Sequence, residues 1–412
     1  MKVSVLTLGC RVNQSESNII EGNLSERGWS VVGLSEHPDY CIVNTCSVTS
    51  KSDYQSRQLI RRAVRTGAKV IVTGCYSQLR PDEIKRIEGV NCIINNNDKL
   101  NIINMLSNNT ESMTFSHSSK SRPYIKVQDG CNFSCSYCVV PMARGRSRSL
   151  NTSKVLEQVK EIAASKFSEI VLTGIHLGSY GYDLAPKTKL SELITTILKE
   201  TKIQRIRLSS IESKEVDNEL VELLQDQRLC RHIHLPLQSG NDTILKQMNR
   251  MYTSEDFVRT IENIIQKVPD FAIGTDVIVG FPGESDKVFL DTKKMLEYLP
   301  LAYIHIFPFS PRPGTRAFKM AHQCSSSIKK ERINELKSIN SKKKMDYMIS
   351  QLYKNLEVVI EEKGSDGISI GTSSNYLKVK MSSNGYPNKT LVRVKAAKIE
   401  GNLMRGDLID TL

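Results

Sequence analysis

The chain has 412 residues, 10 cysteines and a formal net charge of +13. This length predicts two or three domains with a full core, and no apolar run approaches the roughly 20 residues that a membrane span requires. The apolar start of the chain is short for an export signal and is interpreted as a strand. The charge favours a polyanion such as nucleic acid as partner. Cysteines without dense pairing favour a reducing cytoplasm and metal or redox use.

Strands and helices alternate through residues 1–105, which predicts a parallel, Rossmann-like α/β domain. The predicted strands span 3–8, 40–44, 69–73 and 90–94. Cys10, Cys46 and Cys75 each follow the carboxyl end of a strand, where parallel sheets bind their ligands. Spacing alone leaves two interpretations open, a metal site assembled over a long distance or three unrelated buried thiols.

Residues 106–122 are polar and without hydrophobic period, so they are predicted to be a linker. The next predicted strand leads into a loop that carries Cys131, Cys135 and Cys138 within eight residues. Three thiolates wrap one face of a 4Fe–4S cubane and leave one iron open, whereas a cluster held entirely by protein takes four. A zinc knuckle is the alternative, but no Cys or His nearby completes the four ligands that zinc takes.

Residues 123–349 alternate six predicted strands with amphipathic helices, which predicts an open, partial (β/α)6 barrel. The strands span 124–127, 169–173, 205–209, 232–235, 272–279 and 303–307. Active groups in parallel barrels lie at the carboxyl ends of the strands, and several of these ends are polar or rich in glycine. The histidines on these strands and the four remaining cysteines are predicted to be structural.

Residues 350–412 contain five short strands separated by Gly, Asn and Ser, which predicts a small all-β barrel of the OB type. Six basic residues in two groups are candidate RNA contacts: Arg144, Arg146, Arg148, Lys378, Lys380 and Arg393. Tyr376 is a candidate for stacking on a base. The alternative role for this domain is dimerisation or capping.

The cysteine loop, read as Cys131-Asn-Phe-Ser-Cys135-Ser-Tyr-Cys138, resembles that of radical S-adenosylmethionine (SAM) enzymes. Four further segments resemble the methylthiotransferase branch of that superfamily: Thr7-Leu-Gly-Cys10-Arg-Val-Asn13-Gln14, Val43-Asn-Thr-Cys46-Ser-Val-Thr49, Val72-Thr-Gly-Cys75 and His234-Leu-Pro-Leu-Gln238-Ser-Gly. The resemblance implies two 4Fe–4S clusters. Cys131, Cys135 and Cys138 would hold the cluster that binds SAM, and the three N-terminal cysteines would hold an auxiliary cluster that carries the sulfur.

The same resemblance implies a SAM site at the mouth of the barrel and makes the C-terminal domain an RNA-binding TRAM domain. The residues that it assigns to SAM are Tyr137, Thr173, Gly174, Ser209, Glu212, Gln238 and Gly280. Because both clusters must reach one base, the N-terminal domain is expected to cap the barrel mouth.

Two segments, Gly9-Cys-Arg-Val-Asn-Gln14 and Gln128-Asp-Gly-Cys-Asn132, resemble the bacterial branch that adds a methylthio group to C2 of N6-threonylcarbamoyladenosine at position 37 of tRNA. The expected partners are a tRNA anticodon loop and an external electron donor, with the enzyme as a monomer. Isopentenyladenosine in tRNA and a ribosomal-protein aspartate are alternative substrates. An RNA-binding iron–sulfur protein without catalysis is the alternative of another class.

Overall fold

A computed structural model describes residues 1–107, 120–364, 367–382 and 385–412 of the chain. The predicted linker at 106–122 therefore lies largely outside the described residues. Across the described ranges, none of the helices combines the length and the apolar character that crossing a bilayer requires.

The N-terminal domain is a five-stranded parallel sheet with strand order β2-β1-β3-β4-β5. Its strands are β1 (Lys2–Thr7), β2 (Ser30–Val31), β3 (Tyr40–Thr45), β4 (Lys69–Gly74) and β5 (Val90–Ile93). Its helices are α1 (Arg11–Glu26), α2 (Ser50–Val64), α3 (Cys75–Leu79), α4 (Pro81–Lys85) and α5 (Asn101–Ser107). The four predicted strands are confirmed. Strand β2 is an addition, since two exposed residues carry no hydrophobic pattern.

Apolar residues cover both faces of this sheet, as expected for parallel strands that are buried between helices. Alternation along β3 places Ile42 in the cluster under α1 and α5, and Cys41 and Val43 in the cluster under α2. Cys41 is thus a packing residue, as predicted.

The central domain is the predicted partial barrel, built from two three-stranded parallel ladders. Its six main strands are β6 (Tyr124–Lys126), β9 (Glu169–Thr173), β10 (Arg205–Leu208), β11 (His232–His234), β12 (Ala272–Val279) and β13 (Tyr303–Pro308). A parallel bridge from Ile206 to Leu229, just before β11, joins the ladders. A short hairpin of β7 (Gln128–Asp129) and β8 (Arg148–Ser149) flanks the cysteine loop.

The helices of the barrel alternate with its strands and supply the outer layer of its core. They are α6 (Val140–Arg144), α7 (Thr152–Ala164), α8 (Leu190–Glu200), α9 (Asn218–Leu223), α10 (Asp242–Gln247), α11 (Ser254–Lys267), α12 (Asp286–Tyr298) and α13 (Ser326–Ser350). Helix α13 is exposed over only part of its surface. Arg332 is buried and pairs with Glu284 and Asp286, both at 2.7 Å.

The C-terminal domain is a closed barrel with strand order β14-β15-β16-β18-β17, as predicted. Its strands are β14 (Asn355–Lys363), β15 (Ile368–Ser373), β16 (Lys378–Ser382), β17 (Leu391–Glu400) and β18 (Leu403–Thr411). Two fully buried arginines of β10 fix it to the central barrel. Arg205 donates to the carbonyl of Thr372 at 3.0 Å, and Arg207 donates to that of Ser373 at 2.8 Å.

Candidate active site

Cys131, Cys135 and Cys138 line one cavity of about 550 Å³ between the β7–β8 hairpin and the segment after β13. Gly130 sets the start of the loop because its φ is +70° and an added Cβ would lie 2.1 Å from the carbonyl oxygen of Arg146. Only glycine tolerates this approach, which explains the Gln-Asp-Gly sequence before the first cysteine.

Backbone donors point at two of these sulfur atoms. The N–H of Phe133 donates to Cys131 Sγ at 3.4 Å, and the N–H of Val140 donates to Cys138 Sγ at 3.4 Å. Such donors stabilise thiolates bound to iron. Burial raises the pKa of Cys138 to about 12, so the free thiol is protonated and iron must displace its proton.

Two charged side chains also contact sulfur atoms of this set. His176 Nδ1 lies 3.7 Å from Cys131 Sγ, and Arg250 Nη1 lies 3.4 Å from Cys135 Sγ. Burial lowers the pKa of His176, but contact with Cys131 and with Glu215 raises it overall to about 10. His176 was predicted to be structural. Its position after the carboxyl end of β9 places it beside Cys131.

Among the residues assigned to SAM, Tyr137 and Gln238 line a second cavity of about 200 Å³. Ser209 has a buried hydroxyl without a hydrogen-bond partner, as a group that awaits a ligand would have. Glu212 forms an ion pair with Arg250 and so lies near Cys135.

The other three residues of that set have packing explanations. Thr173 is buried in β9. A Cβ on Gly174 would lie 2.8 Å from Gln128 Oε1, and a Cβ on Gly280 would lie 2.4 Å from Lys329 Cγ. Glycine at 174 and 280 is therefore required by protein neighbours, and contact of these two positions with SAM stays a prediction.

The three N-terminal cysteines converge at the carboxyl edge of their sheet. Cys10 precedes α1, Cys46 follows β3 and Cys75 begins α3. An added Cβ on Gly9 would lie 3.1 Å from Cys46 Sγ. Burial, together with the nearby Cys75 and Cys10, raises the pKa of Cys46 to about 11.

The sulfur spacing in both cysteine sets exceeds that of a single-ion site. Across the described residues, neither set has all three sulfur atoms within 4.8 Å of one another. A zinc ion with Zn–S bonds of about 2.3 Å would hold its sulfur ligands roughly 3.8 Å apart. Three converging thiols at wider spacing fit one face of a 4Fe–4S cluster.

Helix α6, directly after the cysteine loop, packs against α3, which begins with Cys75. Asn96 spans this contact, because its Nδ2 lies 2.9 Å from the carbonyl oxygen of Ala143 and 3.6 Å from Cys75 Sγ. After β13, Arg312 Nη2 lies 2.8 Å from Ser47 Oγ. The N-terminal domain therefore lies over the carboxyl ends of the barrel strands, as predicted.

Arg144 is a structural residue of this interface. Its side chain is 2 % exposed, and its Nη1 lies 3.0 Å from Glu16 Oε1 and 2.9 Å from Asp129 Oδ1. It also donates to Asn13 Oδ1. The prediction that Arg144 contacts RNA is therefore wrong, because three partners from two domains enclose the guanidinium.

The other basic candidates are accessible to different degrees. Arg146 and Arg148 are exposed, and Arg146 lies at the rim of the cysteine cavity with Arg316. In the small barrel, Lys380 is half-buried. The other two candidates there have acidic partners on the same barrel: Lys378 pairs with Glu361, and Arg393 pairs with Asp410 at 2.9 Å.

Tyr376 is half-buried and its ring is engaged within the protein, which corrects the prediction that it stacks on a base. Its ring stacks on His232 at a centroid distance of 4.3 Å, and Arg11 donates to its hydroxyl at 3.0 Å. Tyr376 thus joins the small barrel, the central barrel and the residue that follows Cys10.

Comparison with known proteins agrees with this architecture. Residues 125–296 match the Radical SAM superfamily, and residues 2–95 match the uncharacterized protein family UPF0004. The threonylcarbamoyladenosine tRNA methylthiotransferase MtaB of Aquifex aeolicus is 38% identical, over 88% of this chain and 93% of the relative. The tRNA-2-methylthio-N(6)-dimethylallyladenosine synthase of Acetivibrio thermocellus is 30% identical, over 97% and 90%.

Among solved structures, the radical SAM methyltransferase TsrM of Kitasatospora setae, with cobalamin and a [4Fe-4S] cluster bound, has a TM-score of 0.57 at 14% identity. The match covers 77% of this chain and 76% of TsrM, and it establishes a shared fold. An open parallel barrel with three cysteines in a loop at its mouth defines a radical-SAM enzyme. The chain belongs to the radical-SAM methylthiotransferase family, whose members use SAM and 4Fe–4S clusters.

Proposed function

We propose that this enzyme adds a methylthio group to C2 of N6-threonylcarbamoyladenosine at position 37 of tRNA. The observation that carries the proposal is a cavity of about 200 Å³ that is lined by both of the domains that hold a cysteine set. Thr49 of the N-terminal domain and Tyr137, Gln238 and Asp276 of the barrel line it. A base in this cavity would touch the domains of both cysteine sets at once.

Replacement of an aryl C–H bond requires a radical and a sulfur atom, and the cofactors supply both when they are bound. The chain supplies binding and placement. Cys131, Cys135 and Cys138 would hold the cluster that binds SAM. Tyr137 offers an aromatic face to a ring in the cavity of about 200 Å³. Phe309, which also lines the cavity, helps to exclude water from the reacting base.

Basic side chains at the rim support a nucleic-acid substrate. Arg146 and Arg316 are exposed beside the cysteine cavity, and the chain as a whole carries +13. Arginines at the rim of the cysteine cavity suit the phosphates of a single-stranded loop. One base of that loop would be turned into the cavity of about 200 Å³. An anticodon loop meets this requirement at lower cost than a duplex. Reduction of the enzyme would come from an external electron donor.

The alternative substrate is isopentenyladenosine in tRNA, and the similarity to the Acetivibrio thermocellus enzyme supports this alternative. Nucleoside analysis of tRNA from cells without this gene distinguishes the substrates. We expect loss of the methylthio derivative of threonylcarbamoyladenosine and its return on complementation. Loss of the isopentenyl derivative would identify the alternative, and an unchanged profile would refute both.

Cys10→Ala tests the division of labour between the two cysteine sets. We expect this variant to lose about half of its iron and its methylthio transfer while it still cleaves SAM. Iron content, product and SAM cleavage are measured on the same reconstituted protein, with Cys41→Ala as a matched packing control. Retention of both clusters by Cys10→Ala would contradict the long-range set. Two clusters without SAM cleavage in the parent enzyme would favour a non-catalytic iron–sulfur protein.

A further inference from the structure

Three side chains from three neighbouring strands of the barrel converge apart from both cysteine sets. They are His234 at the end of β11, Asp276 in β12 and His305 in β13. Their ligand atoms all lie within 4.8 Å of one another. Register explains the convergence, because Asp276 pairs directly with His305, and His234 pairs with Gly274, two residues before Asp276 on the same face.

The distances match those between adjacent ligands of one metal ion. His234 Nε2 lies 2.9 Å and His305 Nδ1 lies 3.2 Å from the same oxygen, Asp276 Oδ1. With metal–ligand bonds of about 2.1 Å, adjacent ligands in an octahedron lie roughly 3.0 Å apart. The set of two histidines and one carboxylate is a common chelate for first-row divalent ions and leaves coordination positions open.

The contact between His234 and Asp276 differs from an ordinary hydrogen bond. Its side chain is buried, yet Nε2 has no hydrogen-bond partner, although Asp276 Oδ1 is only 2.9 Å away. The alignment at Nε2 therefore falls short of that of an ordinary hydrogen bond, although the two atoms are in contact. Ligands of one ion have this relation, since their lone pairs converge on the ion and not on each other. The His305 contact has ordinary hydrogen-bond geometry.

The other ring nitrogen of His234 has the partner that a metal ligand usually has. His234 Nδ1 lies 3.0 Å from the Tyr303 hydroxyl, which lies 2.8 Å from His232 Nε2. In a chain that runs from Nδ1–H to Tyr303 and on to His232, Nε2 of His234 keeps its lone pair free for a cation. Such outer hydrogen bonds fix the tautomer and the orientation of a ligating histidine.

Nearby positive charges are mostly compensated within the protein. Arg207 pairs with Glu169, and Lys378 pairs with Glu361. His305 opens onto a cavity of about 190 Å³, which gives a cation a route to the site. Lys344 also lines this cavity.

We propose that His234, Asp276 and His305 bind one first-row divalent cation. Asp276 lines the cavity assigned above to the substrate base, so the cation lies at its edge. The site itself rests on the three side chains and is independent of the proposed substrate.

Mn²⁺ is the probe of choice, because it binds nitrogen and oxygen ligands and is a weak competitor for thiolates. The full-length protein, with both clusters loaded and oxidised, is titrated with Mn²⁺ while the electron paramagnetic resonance signal of free Mn²⁺ is recorded. We expect one Mn²⁺ bound per chain. His234→Ala and Asp276→Asn should weaken this binding at least 10-fold.

His305→Ala removes the most exposed ligand and so tests the site with the least disturbance of the core. His322→Ala and Asp270→Asn, at exposed positions, are matched controls and should bind as the parent does. Iron content and melting temperature verify that each variant is folded. Absence of saturable binding by the parent, or equal binding by His305→Ala and the controls, would show that the three side chains form a hydrogen-bonded array only.

Discussion

Glu169 is the carboxylate on which the joint between the central and C-terminal barrels depends, and Glu169→Gln is predicted to be strongly destabilising. Its side chain is fully buried, 2.5 Å from Arg205 Nη2, 2.7 Å from Arg207 Nε and 3.3 Å from Arg122 Nη1. Glutamine keeps the shape and removes the negative charge. Two fully buried guanidinium groups then have only carbonyl oxygens and an amide as partners.

Removal of one partner from a buried ion pair costs about 3–5 kcal/mol. With roughly 2–4 °C per kcal/mol for a domain of this size, the melting temperature should fall by on the order of 10 °C. Circular dichroism measures the transition, and limited proteolysis measures release of the small barrel. Glu335→Gln is the control, since it removes a partly exposed pair with Lys293 that is worth about 0–1 kcal/mol.

The effect should also depend on pH in a defined direction. Burial alone would raise the pKa of Glu169, but the three arginines lower it below the ordinary range. A lowered pKa adds stability above the unfolded pKa of about 4.3, and this stability is lost as pH falls toward the folded pKa. The difference in the free energy of unfolding between the parent and Glu169→Gln should therefore stay at about 3–5 kcal/mol from about pH 6 to about pH 8. It should shrink below about pH 4. Equal melting of Glu169→Gln and Glu335→Gln at neutral pH would refute the reasoning.

Three further variants test the site. Gly74→Ala places a Cβ 2.3 Å from the carbonyl oxygen of Thr45 and should displace the start of α3, with loss of about half of the iron; Gly67→Ala, also at positive φ but in open space, should keep it. Arg250→Gln removes a cation beside Cys135 and should lower the midpoint potential of that cluster by on the order of 50 mV in a redox titration; an unchanged potential would contradict the contact. Arg144→Gln should reduce methylthio transfer roughly 10-fold or more while SAM cleavage persists, and equal loss of both would show that Arg144 does not act through domain docking.

Local pattern was sufficient for much of the fold. The runs that became β3, β9 and β12 are apolar, β-branched and bounded by polar turns, so their positions follow from sequence alone. The convergence of Cys10, Cys46 and Cys75 follows from one rule of parallel sheets. β2 carries no such signal, because its two residues owe their strand conformation to pairing with β1.

The roles of charged and aromatic residues depend on partners that are distant in sequence. Arg144 has the composition and neighbours of a phosphate-binding residue, but Glu16 lies 128 positions away and is brought to it by domain docking. Tyr376 is similar, since its burial depends on His232 and Arg11 from two other domains. Glycine at 174 is ambiguous in the sequence for the same reason: a missing side chain does not reveal that Gln128 occupies the space where its Cβ would lie.

The two cysteine sets also differ in how much of the fold has to form before they can bind iron. Cys131, Cys135 and Cys138 fall within eight residues, so they stay close together even in an unfolded chain. Cys10 and Cys75 are 65 positions apart, and the closure of that longer loop costs about 2 kcal/mol more. Their site exists only once β1, β3 and β4 have paired. Formation of the N-terminal cysteine site therefore depends on the folded domain, whereas the other three cysteines are held close together by their own loop.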